Sequence, residues 1–416
     1  MRSTSKPGVA FAAILGVAIL ARLALLGLLP YGQTVSHRLE GLNDEPAHLN
    51  YVRYLVEQRA LPIQKGNVRE PGAFERGDFE YYQPPFYYLI CAPLVAVGGE
   101  HRALWLCRAV SLAFGLLSLP VLARILTLLG LSVSERRAGV MFTALLPVHA
   151  YFSSLVSNDS LCWLMALLIT QELLTRVREA PAVFRTPASG GIEADLRLGV
   201  LLGVGMLTKS ALAIFYPITL LVYGLLLRRE PGKRVMIGAA LAIAVSLVIA
   251  GPWTMRNLLL YGSPFALEMG FGPPVPGRCS LVAQAHAIAG TVRYFYFPMQ
   301  HVPRTPAVVA LRVFELLLAG VHTLAMIWFL RGRAALSAPR VVALVTLGLV
   351  FAGHIALNLR WGEAEGRFLL PALGPIVYVI VAPVFSLAAK VPQGERLSWA
   401  YLALLAVHPW LYLVFA

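Results

Sequence analysis

Two adjacent carboxylates followed three residues later by an imidazole, Asp44-Glu45 and His48, are the densest cluster of chemistry-bearing side chains in the sequence. At the start of a helix a carboxylate stays ionised and can take a proton from a hydroxyl. His48, one turn on from Asp44, lies on the same face and suits acid–base work, metal ligation or a plain hydrogen bond. The alternative for the acid pair is structural. Asn43 or Asp44 would cap a helix beginning at Pro46, with the charges offsetting its dipole. Cations form the second group. Lys209 stands between hydroxyl residues at Thr208 and Ser210, and Arg256 and Arg367 lie near predicted helix ends. Arg binds phosphate bidentately, so these positions suit a phosphorylated ligand. Snorkelling for Lys209, and salt bridges to Glu268, Glu363 or Glu365 for the arginines, are the competing readings.

These residues must be held by membrane helices. The chain of 416 residues is 58% hydrophobic and 13% charged, a balance that excludes an ordinary soluble globule. Its mean hydropathy is +0.70. Apolar runs predict about eleven spans near 8–29, 106–129, 138–156, 159–176, 196–208, 210–227, 235–250, 307–330, 341–358, 368–388 and 398–415. The first run is too long and lacks a cleavage site for a signal peptide, and reads as an anchor. The stretch 85–98 is apolar but short, and reads as a helix at the membrane surface. The expected fold class is an all-α integral membrane protein, a single polytopic domain over 1–416 with no soluble terminal domain.

The net charge of +14 would point to nucleic acid in a soluble protein; here it follows topology, because inner loops accumulate Lys and Arg. With an inner N-terminus, the basic clusters Arg136-Arg137, Arg176/Arg178/Arg185, Arg228-Arg229/Lys233-Arg234 and Arg331/Arg333/Arg340 all fall on the cytoplasmic side. The same parity predicts a large extracytoplasmic loop over 30–105 and a second over 251–306. Of the 21 acidic residues, nine lie between Glu40 and Glu100, within the first loop. Gln83-Pro84-Pro85, Ser157-Asn158-Asp159, Lys209, Arg256 and Glu365-Gly366-Arg367 join them on that outer face. Asn158-Asp159 reads as a cap for the next helix. Leu49, Val52, Leu55 and Val56 predict an apolar helix face suited to the bilayer surface. The Pro- and aromatic-rich second loop is suited to covering a pocket, and 179–195 reads as an inner linker. The cysteines, Cys91, Cys107, Cys162 and Cys279, show neither a CxxC pair nor metal spacing.

Taken in order, Asp44-Glu45, Gln83-Pro84-Pro85-Phe86-Tyr87-Tyr88, Ser157-Asn158-Asp159, Leu207-Thr208-Lys209, Arg256-Asn257 with Tyr261-Gly262, and Glu365-Gly366-Arg367-Phe368 before Pro371 span most of the chain. This series resembles polytopic GT-C-type glycosyltransferases, in the branch with protein O-mannosyltransferases and the lipid A aminoarabinose transferase. The resemblance implies an inner-membrane enzyme that takes a sugar from a polyprenyl phosphate and passes it to an extracytoplasmic glycan, lipid or protein. It implies Asp44 as base with Glu45 beside it in the catalytic pair, and His48, Gln83, Lys209, Arg256, Glu365 and Arg367 as substrate-binding residues. No cofactor is firmly implied and no metal ligand is assigned, although the resemblance leaves room for a divalent cation. Some relatives carry Lys where this chain has Gln83, so one phosphate contact is missing or moved. A transporter or flippase for lipid-linked sugars, and an oligosaccharide ligase or polymerase, are the competing classes. A transporter would show internal repeats and charged or broken helices near mid-membrane.

Overall fold

The computed structural model describes residues 7–28, 44–179, 191–228, 230–276, 280–296, 305–331, 337–362 and 365–411. Asn43, Cys279, Glu363 and residues 180–190 of the inner linker lie outside the described residues. Every element among them is helical. In chain order these are α1 (Pro7–Leu28), α2 (Asp44–Gln58), α3 (Ala73–Arg76), α4 (Phe86–Gly98), α5 (Ala103–Leu128), α6 (Val133–Leu145), α7 (Pro147–Phe152), α8 (Asp159–Glu179) and α9 (Gly191–Thr208). There follow α10 (Phe215–Leu226), α11 (Gly232–Tyr261), α12 (Leu267–Phe271), α13 (Leu281–Tyr296), α14 (Pro306–Arg331), α15 (Ala338–Trp361), α16 (Leu373–Ala388) and α17 (Gly394–Val407).

Among the described residues, six stretches are long and apolar enough to cross a membrane: Glu100–Leu128, Asp159–Arg178, Gly232–Tyr261, Pro306–Arg331, Ala338–Trp361 and Gly366–Ala388. The protein is thus a multi-pass membrane protein. Helix also occupies the other segments read as spans, but in shorter or interrupted form. One of these is divided into α6 and α7, α9 opens on Glu193, Asp195 and Arg197, and α17 has 14 residues. The stretch set aside as a surface helix is α4, of 13 residues.

Three local features position the site. The first is the break between α6 and α7. Pro147 has no N–H and disfavours helix at the preceding residue, and Leu146 is extended. The carbonyls this frees find donors from outside. Arg22 of α1 reaches Ala144 O at 3.0 Å, and Trp410 Nε1 reaches Leu145 O at 2.8 Å. Arg22 is itself fully buried and meets His149 Nδ1 at 2.6 Å. The short α7 therefore points Phe152 and the following turn into the bundle end that carries Asp44.

The second feature is α2. Its apolar face was expected to lie on the bilayer, but Leu49, Val52 and Leu55 are buried within the protein core. Aromatic packing on α4 takes that face instead, with Tyr51 stacked on Tyr88 at 3.8 Å between ring centres.

The third is α11, which continues as helix through Pro252 to Tyr261, so that Trp253, Arg256 and Asn257 belong to its last turns and not to a loop. It packs closely on α9, where Cβ atoms added at Gly199 and Gly203 would meet Ala242 O at 2.7 Å and Ile249 Cβ at 2.7 Å. Beyond α11 the chain crosses back over the bundle end and is tied on both sides. Val68 N–H donates to Met269 O at 3.1 Å, Val275 N–H to Arg360 O at 2.8 Å, and Trp361 Nε1 to Gly272 O at 2.8 Å.

Candidate active site

Five elements meet at one end of the bundle. Asp44 opens α2, and Asp159 opens α8 directly after the turn Ser157-Asn158. Lys209 lies between α9 and the 3₁₀ turn Ser210–Ile214, and Glu365 leads into the 3₁₀ turn Gly366–Ala372, which holds Arg367. The Arg367 guanidinium is the hub. Its Nη2 meets Asp44 Oδ2 at 3.0 Å, its Nη1 meets Asp159 Oδ2 at 3.4 Å, and its Nε pairs with Glu365. The Phe152 and Phe368 rings flank it, 4.8 and 5.3 Å from the guanidinium carbon. Lys209 pairs with the other oxygen of Asp159 and reaches Asn158 Oδ1 at 3.4 Å. Three carboxylates and two cations thus share one connected network. Asp44 is its more open member, with its side chain 26% exposed against 3% for Asp159.

Gln83 joins through Asn158, whose Nδ2 donates to Gln83 Oε1 at 3.3 Å. His48 is buried, with Nδ1 2.7 Å from the Tyr88 hydroxyl. Burial pushes its imidazole down to about 4, against the opposing charge of nearby Asp44. At neutral pH it is an uncharged hydrogen-bonding partner. Glu45 faces away from the network. It accepts two bonds from Arg108, at 2.7 and 2.6 Å, both side chains being 1% exposed, and a third from Val156 N–H at 2.8 Å. It ties α2 to α5 and to the turn that delivers Asp159.

Arg256 has partners of its own. It donates to Pro62 O and lies over the Trp253 ring at 4.6 Å. No carboxylate partner is recorded for it among the described residues, since Glu268 pairs with Arg360 at 2.8 Å. Of the suggested salt bridges, Arg367 makes the one to Glu365.

Three residues of this region were not assigned to the site from the sequence. Asp159 was read as a cap, but its side chain bridges Lys209 and Arg367; an acid at the same membrane face as unpaired outer cations was the available signal. Arg108, at the mouth of a predicted span, needed an acidic partner. Glu80 is buried in the turn before Gln83, and nothing in its spacing marks it.

Beside the network lies a cavity of about 420 Å³, walled mostly by apolar groups. Gln83, Lys209, Phe271, Val350, Leu357 and Phe368 are among the residues that line it. Such a shape accepts an apolar chain with a charged head at Lys209. A divalent cation fits less well. Asp44, Asp159 and Glu365 are already paired with Arg367 and Lys209, and among the described residues no three His, Cys, Asp or Glu side chains converge on a metal position.

No family model matches the chain, and no curated protein does. Solved structures do. ArnT of Cupriavidus metallidurans, a lipid A aminoarabinose transferase crystallised with undecaprenyl phosphate, aligns over 95% of this chain and 69% of its own, at 16% identity and a TM-score of 0.53. The oligosaccharyltransferase AglB of Archaeoglobus fulgidus, in complex with an inhibitory peptide and a dolichol-phosphate, aligns over 96% of this chain and 54% of its own, at 15% identity and a TM-score of 0.56. The same oligosaccharyltransferase with Zn and sulfate aligns over 95% and 52%, with a TM-score of 0.54. The chain spans about half the length of the archaeal enzyme. Both neighbours are GT-C glycosyltransferases, and theirs is the fold that this chain adopts.

Proposed function

We propose that the protein transfers a glycosyl group from a polyprenyl-phosphate-linked sugar to an extracytoplasmic glycan, lipid or protein, with Asp44 as base and inversion at the anomeric carbon. The observation that carries this reading is the meeting of Asp44, Asp159, Lys209 and Arg367, from distant parts of the chain, beside an apolar cavity that Lys209 lines. The first isoprene units would occupy the cavity, placing the donor phosphate at Lys209. An acceptor hydroxyl would approach Asp44, the more open carboxylate. The acceptor oxygen–carbon bond forms as the carbon–oxygen bond to phosphate breaks, and the hydroxyl proton passes to Asp44. Lys209 and Arg367 lie where charge grows on the departing phosphate, and Arg256, without a carboxylate of its own, supplies further positive charge. Pairing with Arg367 orients the Asp44 carboxylate, and Glu45 acts through position. No step requires a divalent cation.

Protein in lipid nanodiscs, supplied with a panel of polyprenyl phosphate sugars and envelope-derived acceptors, tests this. Wild type should release polyprenyl phosphate and form an inverted glycoside, and a chelator should leave the rate unchanged. Asp44→Asn should fold normally and transfer nothing. Near-normal turnover by Asp44→Asn would return this residue to a structural role, and a chelator-dependent rate would overturn the metal-free reading.

A further inference from the structure

Arg22 is a buried cation that the steps above leave without a task. It lies in the apolar α1 and is fully buried, and no carboxylate is recorded as its partner among the described residues. A guanidinium taken out of water with no acid to balance it is costly, so its bonds point to its purpose. Its Nη1 donates to Ala18 O and Ala144 O, both at 3.0 Å, and its Nη2 meets His149 Nδ1 at 2.6 Å. A guanidinium can only donate, so Nδ1 accepts and the His149 ring proton sits on Nε2. Ser118 Oγ accepts from Nε2 at 3.1 Å and gives its own O–H to Gly115 O at 2.6 Å. Both ring nitrogens are thus used, and α7 is fixed to α1 on one side and to α5 on the other.

From His149 the contacts run toward the network. Its ring stacks on Trp163 with 5.3 Å between centres, and Trp163 meets Phe152 edge-on at 6.3 Å. Phe152 is the ring that lies 4.8 Å from the Arg367 guanidinium carbon. Trp163 is buried and stands one turn beyond Asp159 on α8, on the same face. The ring against Arg367 and the carboxylate paired with it therefore share one support. We infer that Arg22 is a positioning residue for the transfer step: through His149 and Trp163 it sets the Phe152 ring on which the Arg367 guanidinium rests. The inference rests on the reading above, in which Arg367 meets the charge growing on the departing phosphate. A displaced Arg367 costs rate more than donor affinity, because that charge develops in the transition state.

Wild type, Arg22→Met, Phe152→Leu and the double variant, in the same lipid nanodiscs, test this in two ways. With a polyprenyl phosphate sugar as donor, Arg22→Met should lower kcat roughly ten- to a hundredfold while KM for the donor stays within about threefold. Phe152→Leu should lose a similar factor. Adding Arg22→Met to it should cost no more than about twofold further, because both act through one ring. Arg22→Lys keeps a cation that can meet Ala144 O or His149 but lacks the fork for both, so its kcat should lie between wild type and Arg22→Met. It takes the place of Arg22→Met in the cycle if that variant does not accumulate. Full kcat with a lowered melting temperature in the Arg22 variant, or losses that multiply in the double variant, would overturn the inference. Thermal unfolding of the same four samples needs no turnover, and so separates this outcome from failure of the proposed reaction. The single variants should lower the melting temperature by amounts that do not add in the double one. Additive shifts would show that no contact chain joins Arg22 to Phe152, and would sink the inference whatever the transfer assay gives. Non-additive shifts in a protein that uses no lipid-linked donor would instead bring down the reaction proposed above, and with it the part of Arg22 in that reaction.

Discussion

Arg367 touches three carboxylates and two aromatic rings, and this crowding sets what its removal would do. A buried guanidinium that balances Asp44, Asp159 and Glu365 is a structural element as well as a cation for phosphate. The two roles separate by substitution. Arg367→Ala leaves the acids facing one another, and should lower both the melting temperature and donor use, the latter by about two orders of magnitude. Arg367→Lys restores charge but not the fork that meets two carboxylates at once, so it should recover only part of the rate. Saturation kinetics with the lipid-linked donor, beside thermal unfolding of the same samples, would measure this. A full rate with lowered melting temperature in Arg367→Ala would leave the residue with structure alone.

At the scale of elements, the Glu45–Arg108 pair fastens α2 to α5, and through Val156 N–H it fastens the turn before α8 as well. Glu45→Gln would leave a buried Arg uncompensated, at a cost of about 3–5 kcal/mol. The expected outcome is lower stability first, with rate loss following from displacement of Asp44. The double variant Glu45→Gln/Arg108→Met should regain stability over the single one; if it is instead less stable, the pair is not what holds these elements together. The pair also marks where sequence reading stops. Most helix positions were legible because apolar runs are long and their ends carry charge. So was the grouping of Asp44, Lys209 and Arg367 on one face, which follows from topology alone. Legibility failed where a partner decides. Asp44, Glu45 and Asp159 all begin or precede a helix, and only three-dimensional neighbours separate the network member from the buried tie. The burial of α2 was missed for the same reason: its apolar stripe fits a bilayer as well as the tyrosines of α4. Arg256 was expected in an outer loop, but α11 runs as helix past Pro252 and holds the side chain against Pro62 and Trp253.

At the scale of the whole molecule, polarity is segregated between two ends of the bundle. One end holds the Asp44 network. The other holds a separate tie, in which the buried Asp195 meets Arg176 Nη1 at 2.6 Å, Arg234 Nη1 at 2.7 Å and the Tyr223 hydroxyl at 2.6 Å. These four residues come from α8, α9, α10 and α11, so the tie joins the far ends of helices whose near ends frame the site. Basic residues gather at that far end, and inner loops collect Lys and Arg. We propose on that ground that the Asp44 end is the extracytoplasmic one, where a lipid-linked donor would meet its acceptor. Lys65 and Lys233 are exposed at the two ends. In a cysteine-free background, Lys65→Cys should react with a membrane-impermeant thiol reagent in intact cells. Lys233→Cys should react only after permeabilisation. The reverse pattern would put the Asp44 network on the cytoplasmic face and remove the extracytoplasmic acceptor from the proposed reaction, while the geometry of the site itself would stand.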